Sequence, residues 1–540
     1  MIPAGGHDVV RRVLAVAMIA SSGEAAVAEL AFDRYEVVTG PAKRQTVLTG
    51  FLLDGSMADL AVLEVDENED RRLRIFAFDD DTWVPRLDAT LRPEVLFVDV
   101  ASLGGRDRLI TYEPGRLSRF DPESATERPL LAMTSSFKPP RRAEIPHVDI
   151  TRDLNGDGRD DLVVPDGDGF WVFVQTSDGA FADPVKIGPS TDLAGIYGAD
   201  GYRYDPWGQS RIHGIDYNRD GRDDLVFWNE DRFEVHLQDE RGLYAPVART
   251  FTTGVSFDSD EIFSLASGEM QGRVLHSLTD LSGDGVADLV VVELKGRSIS
   301  GKRSSYEVHL GRPTAEGGTA FARDVDFAFA SDDRIQLGMN RLDFDPDGRV
   351  ALMFTTIEVE HLQGSLWKRL KGFMGDDVGL NLEFYRAEDG LYPDKPDAVH
   401  GIALDGVPSH REPGWVPLEI VLRGATHESR KTRKAWPRAF NRTLLIGDVT
   451  GDGRSDLVME PEFRDLHIYV GVSGPELFAR QPQRVAVQLL DGEYAWLVDL
   501  DRDGKQDILV HHPFILRDPH GAPTRPPGAE SQRVTMLLVR

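Results

Sequence analysis

One acidic nine-residue phrase recurs along this chain and limits what it can fold into more than any other feature. It reads Asp153-Leu-Asn-Gly-Asp-Gly-Arg-Asp-Asp161, then Asp216-Tyr-Asn-Arg-Asp-Gly-Arg-Asp-Asp224 and Asp280-Leu-Ser-Gly-Asp-Gly-Val-Ala-Asp288. Two more copies are Asp448-Val-Thr-Gly-Asp-Gly-Arg-Ser-Asp456 and Asp499-Leu-Asp-Arg-Asp-Gly-Lys-Gln-Asp507. Oxygen-bearing side chains stand at positions 1, 3, 5 and 9, and position 6 is always Gly. The expected ligand sets are Asp153, Asn155, Asp157 and Asp161; Asp216, Asn218, Asp220 and Asp224; and Asp280, Ser282, Asp284 and Asp288. The last two are Asp448, Thr450, Asp452 and Asp456, and Asp499, Asp501, Asp503 and Asp507. Hard oxygens at alternating positions around a sharply turning Gly suit Ca²⁺, which takes 6–8 oxygens in flexible geometry. Position 7 is expected to add a backbone carbonyl, so Arg159, Arg222, Val286, Arg454 and Lys505 vary freely in side chain. Mg²⁺ demands a tighter octahedron. The chain has no Cys for a softer ion.

An EF-hand shares the first half of this pattern but closes with a bidentate Glu at position 12 and sits between helices. Position 12 here is Val164, Phe227, Val291, Met459 or Val510. The residues after position 9 are apolar and largely β-branched, which reads as a buried strand. The loop therefore opens a strand. Ordinary Asp/Gly turns without an ion are the plainer reading, but five copies in one register, each gathering mutually repelling carboxylates, argue against it.

The spacing counts the units. Asp153 to Asp216 is 63 residues, Asp216 to Asp280 is 64, and Asp448 to Asp499 is 51. A degenerate copy at Asp343, Asp345 and Asp347 lies 63 residues after Asp280 and is a doubtful sixth site. Asp99 to Asp107 keeps only outer acids, and Phe51 to Asp59 is weaker still, giving eight units with five expected ion sites. Each unit continues with a second alternating segment and a turn bearing an aromatic, as in Gly179-Ala-Phe181, Gly242-Leu-Tyr244 and Gly390-Leu-Tyr392. Short strands repeated at this length predict an all-β fold: one β-propeller of about eight four-stranded blades, with seven as the alternative.

The phrase Asp-x-Asn-Gly-Asp-Gly-Arg-x-Asp-Leu-Val at this spacing resembles the FG-GAP/VCBS repeat family, related to the integrin-α propeller. The resemblance covers nearly the whole chain after residue 28. It implies a propeller whose calcium loops join the first two strands of each blade, and it fixes fold and metal better than function.

Residues 1–28 read as an export signal, with Arg11-Arg12, the apolar run from Val13 to Ala20, and Ala26-Val-Ala28 before Glu29. This predicts a periplasmic or secreted protein, by general secretion or the twin-arginine route, with residues 29–540 forming the propeller. An insertion is expected around 400–442, and it carries the basic run Arg430-Lys-Thr-Arg-Lys434. The absence of Cys excludes disulfide staples, so sheet cores, ring closure and ions must supply stability. The formal charge is −29, and five divalent ions would still leave the chain acidic. That argues against nucleic acid as a partner.

No nucleophile elbow, zinc-protease helix or phosphate loop is present. The breaks in the repeat are Tyr197 to Trp207 and His400 to Trp436, with His410 and His427 inside the second. The reading expects an exported, monomeric binding or adhesion module for a glycan or protein. The alternative is a polysaccharide lyase or hydrolase working in the central cleft.

Overall fold

The structure, a computed structural model, describes residues 30–42, 45–66, 68–135, 137–138, 145–189, 203–204, 212–229, 231–257, 272–295, 303–315, 317–330 and 334–342. It further describes 351–358, 378–388, 390–404, 407–409, 441–462, 465–474, 476–487, 495–512, 516–517, 523–524 and 531–540. The expected export signal, the Asp343 copy and most of the 400–442 insertion therefore lie outside the described residues.

Every regular element among the described residues is a strand, and eight antiparallel sheets form the blades of one propeller. From inner to outer strand, blade 1 is Gln45–Gly50, Asp59–Val65, Arg71–Asp79 and Thr82–Leu91. Blade 2 is Phe97–Leu103, Arg106–Glu113, Arg116–Asp121 and Thr126–Ala132. Blade 3 is Thr151–Arg152, Asp161–Asp166, Gly169–Phe173 and Val185–Ile187. Blade 4 is Ile212–Ile215, Asp224–Asn229, Arg232–His236 and Arg249–Phe251. Blade 5 is Gly272–Thr279, Asp288–Lys295, Arg303–His309 and Phe327–Ala330. Blade 6 is Arg334–Leu342, Ala351–Glu358, Val378–Arg386 and Ala398–Leu404. Blade 7 is Asn441–Gly447, Asp456–Glu462, Asp465–Tyr469 and Gln483–Ala486.

Blade 8 closes the ring with both ends of the chain. Its inner strands are Ala495–Val498, Asp507–His512 and Gln532–Val539, and its outer strand is Phe32–Gly40. The closing pair runs antiparallel from Phe32↔Val539 to Gly40↔Gln532. Arg540 N–H donates to the Ala31 carbonyl at 3.0 Å, and the Arg540 side chain pairs with Asp33.

The second strands explain the apolar runs after each loop. Asp161–Asp166 and Asp507–His512 are buried at every position, because the neighbouring blades cover both faces. The core accordingly lies between blades. One cluster joins Phe97, Ile110 and Tyr112 of blade 2 to Leu162, Val164 and Phe173 of blade 3. Another joins Val37, Leu509 and Val534 of blade 8 to Leu60, Val62 and Phe76 of blade 1. Each fully buried large apolar side chain contributes about 1.5–3 kcal/mol, so these interfaces carry the stability that disulfides supply elsewhere.

Candidate metal centres

Each of the five full phrases occupies the connection from the first to the second strand of a blade, in blades 3, 4, 5, 7 and 8. Inner strands of a propeller run the same way along the axis, so these loops share one face of the ring.

Position 1 organises the backbone of its loop. Asp153 accepts N–H groups from Asp157 at 3.0 Å and Gly158 at 2.8 Å. Asp216 repeats this with Asp220 and Gly221, at 2.9 and 2.8 Å. Asp280 accepts Gly283 and Gly285, and Asp448 accepts Gly451 and Gly453. Position 5 accepts the N–H of position 7 throughout: Arg159 on Asp157 at 3.0 Å, Arg222 on Asp220 at 3.1 Å, and Val286 on Asp284 at 2.8 Å. Arg454 on Asp452 and Lys505 on Asp503 complete the set, at 2.9 and 2.8 Å. Position 3 joins this web in three loops, where Asn155, Asn218 and Asp501 each accept the N–H of position 5.

Position 9 has a second task that the sequence reading missed. Asp161, Asp224, Asp288, Asp456 and Asp507 are all buried. One oxygen of each accepts the N–H of position 2: Leu154 at 3.1 Å, Tyr217 at 3.2 Å, Leu281 at 2.9 Å, Val449 at 2.8 Å and Leu500 at 3.0 Å. The other oxygen accepts an N–H from the far side of the sheet: Gln175, Gln238, Gly311, Gly471 or Val539, at 2.7–2.9 Å. The carboxylate thus braces the loop to the third strand. Burial pushes Asp161 up to about 7 and Asp224 and Asp507 up to about 6. It raises Asp288 and Asp456 as well. A nearby divalent cation would reverse that shift by favouring the charged form.

Blade 1 separates the two tasks. Phe51, Leu53 and Gly55 have replaced the donors there, yet Asp59 is still buried and accepts Leu53 N–H at 2.7 Å. Blade 2 corrects the sequence register. Asp99 and Asp107 were expected to flank a degenerate loop, but both lie inside strands joined by the Gly104–Gly105 turn. Asp107 accepts Phe51 N–H from blade 1 just as Asp160 accepts Ser102 N–H from blade 2. Asp107 is therefore the counterpart of position 8, and Arg108 stands at position 9.

The donor sets fit a hard cation, most clearly in blade 8. Carboxylate oxygens of Asp499, Asp501 and Asp507 lie within 4.8 Å of one another, and the buried Oδ1 of Asp499 has no hydrogen-bond partner. In the other four loops the corresponding Asp uses both oxygens on backbone N–H groups.

Aromatic turns hold the blade 3 and blade 5 loops from the next blade. Tyr392 O–H of blade 6 donates to the Leu281 carbonyl of the blade 5 loop at 3.2 Å. A Cβ on Gly242 would sit 2.6 Å from Asn155, and one on Gly390 would sit 2.6 Å from the Ser282 carbonyl. At φ of +79° and +77°, both turns need Gly on conformational grounds too.

A second feature lies at the axis. A cavity of about 450 Å³ is lined by inner-strand residues of blades 8, 1 and 2, including Trp496, Thr49 and Asp99, and by Asp107, His147 and Asp160. His147 enters on a two-residue strand parallel to the inner strand of blade 2. Its Nε2 is 2.8 Å from Asp99 Oδ1, while Asp99 Oδ2 accepts Ile150 N–H and Thr151 O–H, both at 2.8 Å. Burial, joined by the charges of Asp107 and Asp99, raises Asp160 above the ordinary carboxylate range. His400, in the second break of the repeat, packs inside the outer strand of blade 6 against Tyr469, with ring centroids 4.6 Å apart. Of the first break, only residues 203–204 are described.

No protein-family model matches this chain, and no curated protein matches it. Among solved structures it is similar to the Photorhabdus luminescens Tc holotoxin pore at 12% identity and a TM-score of 0.29. That match covers 91% of this chain but 16% of the toxin chain, so this chain spans a small part of that length. The V. cholerae biofilm matrix protein Bap1 matches at 10% identity and TM-score 0.35, over 93% of this chain and 88% of that one. The WD40 domain of SCAP from fission yeast matches at 10% identity and TM-score 0.33, over 94% and 98%.

Proposed function

We propose that this chain is an exported, calcium-stabilised propeller of the FG-GAP/VCBS type that binds a glycan or protein partner without catalysing a reaction. The observation that carries the reading is the repetition of one oxygen-donor loop at the same strand connection of five blades. Five copies with conserved internal hydrogen bonding are what a structural ion needs, and Ca²⁺ suits such donors. Export rests on residues 1–28, and the millimolar calcium available outside cells matches the affinity range of extracellular modules. Ligands of propellers bind on a face or at the axis, which makes the carboxylate-lined cavity the first place to look for contact.

A second reading has one observation behind it. The imidazole of His147, held by Asp99 beside Asp107 and Asp160, is the kind of group that a polysaccharide lyase or hydrolase would place in the central cleft. Incubation with a panel of neutral and acidic polysaccharides separates the two. Retention of a glycan without product supports the binding module. Product release that disappears in His147→Ala establishes the enzyme and overturns the non-catalytic reading.

A further inference from the structure

Blades 5 and 7 contain a natural control. Their loops carry the same three carboxylates and a hydroxyl at position 3, and their internal bonds repeat. Ser282 Oγ and Thr450 Oγ1 reach Asp280 and Asp448 at 3.4 and 3.3 Å. Gly285 and Gly453 N–H donate to the same acids at 2.9 and 2.8 Å. Asp288 and Asp456 each accept position-2 and position-3 N–H groups at 2.8–2.9 Å. The loops differ at position 7, which is Val286 in blade 5 and Arg454 in blade 7.

That difference falls on the carboxylate at position 5. Arg454 Nη1 lies 2.9 Å from Asp452 Oδ2, while Asp452 Oδ1 takes the Arg454 N–H. One residue therefore engages both oxygens. Blades 3, 4 and 8 do the same: Arg222 lies 2.5 Å from Asp220, Lys505 lies 3.0 Å from Asp503, and Arg159 pairs with Asp157. In blade 5, Asp284 Oδ1 accepts Val286 N–H at 2.8 Å, but Val286 is buried and brings no charge.

We infer that the side chain at position 7 sets the calcium affinity of each loop, as a tethered cation that competes with the metal for the position-5 carboxylate. The inference rests on the calcium reading. A cation two residues away steadies the loop without metal and must yield or share an oxygen when the ion enters. Its positive charge also repels the ion at short range. An exposed pair of this kind is weak, so the effect is a tuning of affinity by roughly two- to fivefold. It follows that the blade 5 loop binds more tightly than its blade 7 counterpart.

The test uses the full chain, titrated with CaCl₂ by calorimetry after chelator treatment. Arg454→Gln should tighten one binding step by roughly two- to fivefold with the stoichiometry unchanged, while Arg454→Lys should stay close to wild type. Asp284→Asn should delete a step tighter than the one deleted by Asp452→Asn. Equal affinities in wild type and Arg454→Gln would overturn the inference while leaving the calcium reading intact. No binding by the wild type would remove both. Melting in saturating CaCl₂ confirms that each variant is folded before its affinity is compared.

Discussion

The hydroxyl of Tyr244, in the turn after the third strand of blade 4, donates a 2.8 Å hydrogen bond to the carbonyl of Leu154 in the blade 3 loop. Gln238 Nε2 donates to the same hydroxyl at 2.9 Å, so the contact is buried and fully partnered. The blade 3 loop is thus held from within by its own carboxylates and from outside by the adjacent blade.

Tyr244→Phe removes that outside hold and leaves the Leu154 carbonyl and a Gln238 donor short of a partner. A loss of about 1 kcal/mol is expected from one buried hydrogen bond. Chemical denaturation should detect it with and without calcium. An unchanged midpoint would show that the contact does not couple the blades.

Calcium removal should lower stability. Ions that bind only the folded state stabilise by mass action, about 4 kcal/mol for each site at a thousand times its Kd. EDTA should therefore lower the thermal midpoint, and added CaCl₂ should restore it while MgCl₂ restores less. A melt indifferent to EDTA would defeat the structural-ion proposal.

The two tasks of the acids can be separated by mutation. Asp59→Ala strands the Leu53 N–H in a loop that has lost its other donors, so its cost, about 1–3 kcal/mol, should be the same in EDTA and in calcium. Asp157→Ala should cost little in EDTA and lose about one ion in calcium. Equal calcium dependence in both variants would contradict the separation.

Acid should destabilise blade 8 through two histidines. His511 and His512 are buried against Gln532 and Thr535, and burial lowers both to about 4. Their folded values lie below the unfolded value near 6.5, so the fold binds fewer protons than the unfolded chain does. The stabilisation is complete above pH 6.5 and is lost as pH falls towards 4, on the order of 3 kcal/mol for each group. The buried loop carboxylates shift the other way, so wild type must be compared with His511→Gln. The variant should lose less stability between pH 7 and pH 4.5, and parallel curves would refute the assignment.

The fold was legible because the Asp/Gly phrase marks one turn per blade, and eight copies, however worn, count eight blades. The buried second strands were legible as apolar runs. The closing strand was not, because Phe32–Gly40 carries no phrase and its pairing with Gln532–Val539 is a long-range event that no local pattern records. Position 9 read as a ligand alone, because composition does not record that the same carboxylate also accepts two backbone N–H groups. Asp107 was misread by one position because the Gly104–Gly105 turn is shorter than the loop it replaces. Arg159, Arg222, Arg454 and Lys505 offered a signal that went unused: four of the five side chains at that position are cations.

Blade 8 also dictates when the molecule can be finished. A chain delivered N-terminus first carries Phe32–Gly40 as a lone edge until its partner arrives, and Arg540 meets Asp33 across 507 residues of sequence. Neighbouring blades can pack as they emerge, but Phe32–Gly40 has no sheet to join until Gln532–Val539 is in place. Such a delayed, very distant pairing is slow to form, and an unpaired strand is a template for the wrong partner. Loss of even the final eight residues would leave both the opening strand and blade 8 with a bare flank, turning a closed ring into an arc prone to self-association.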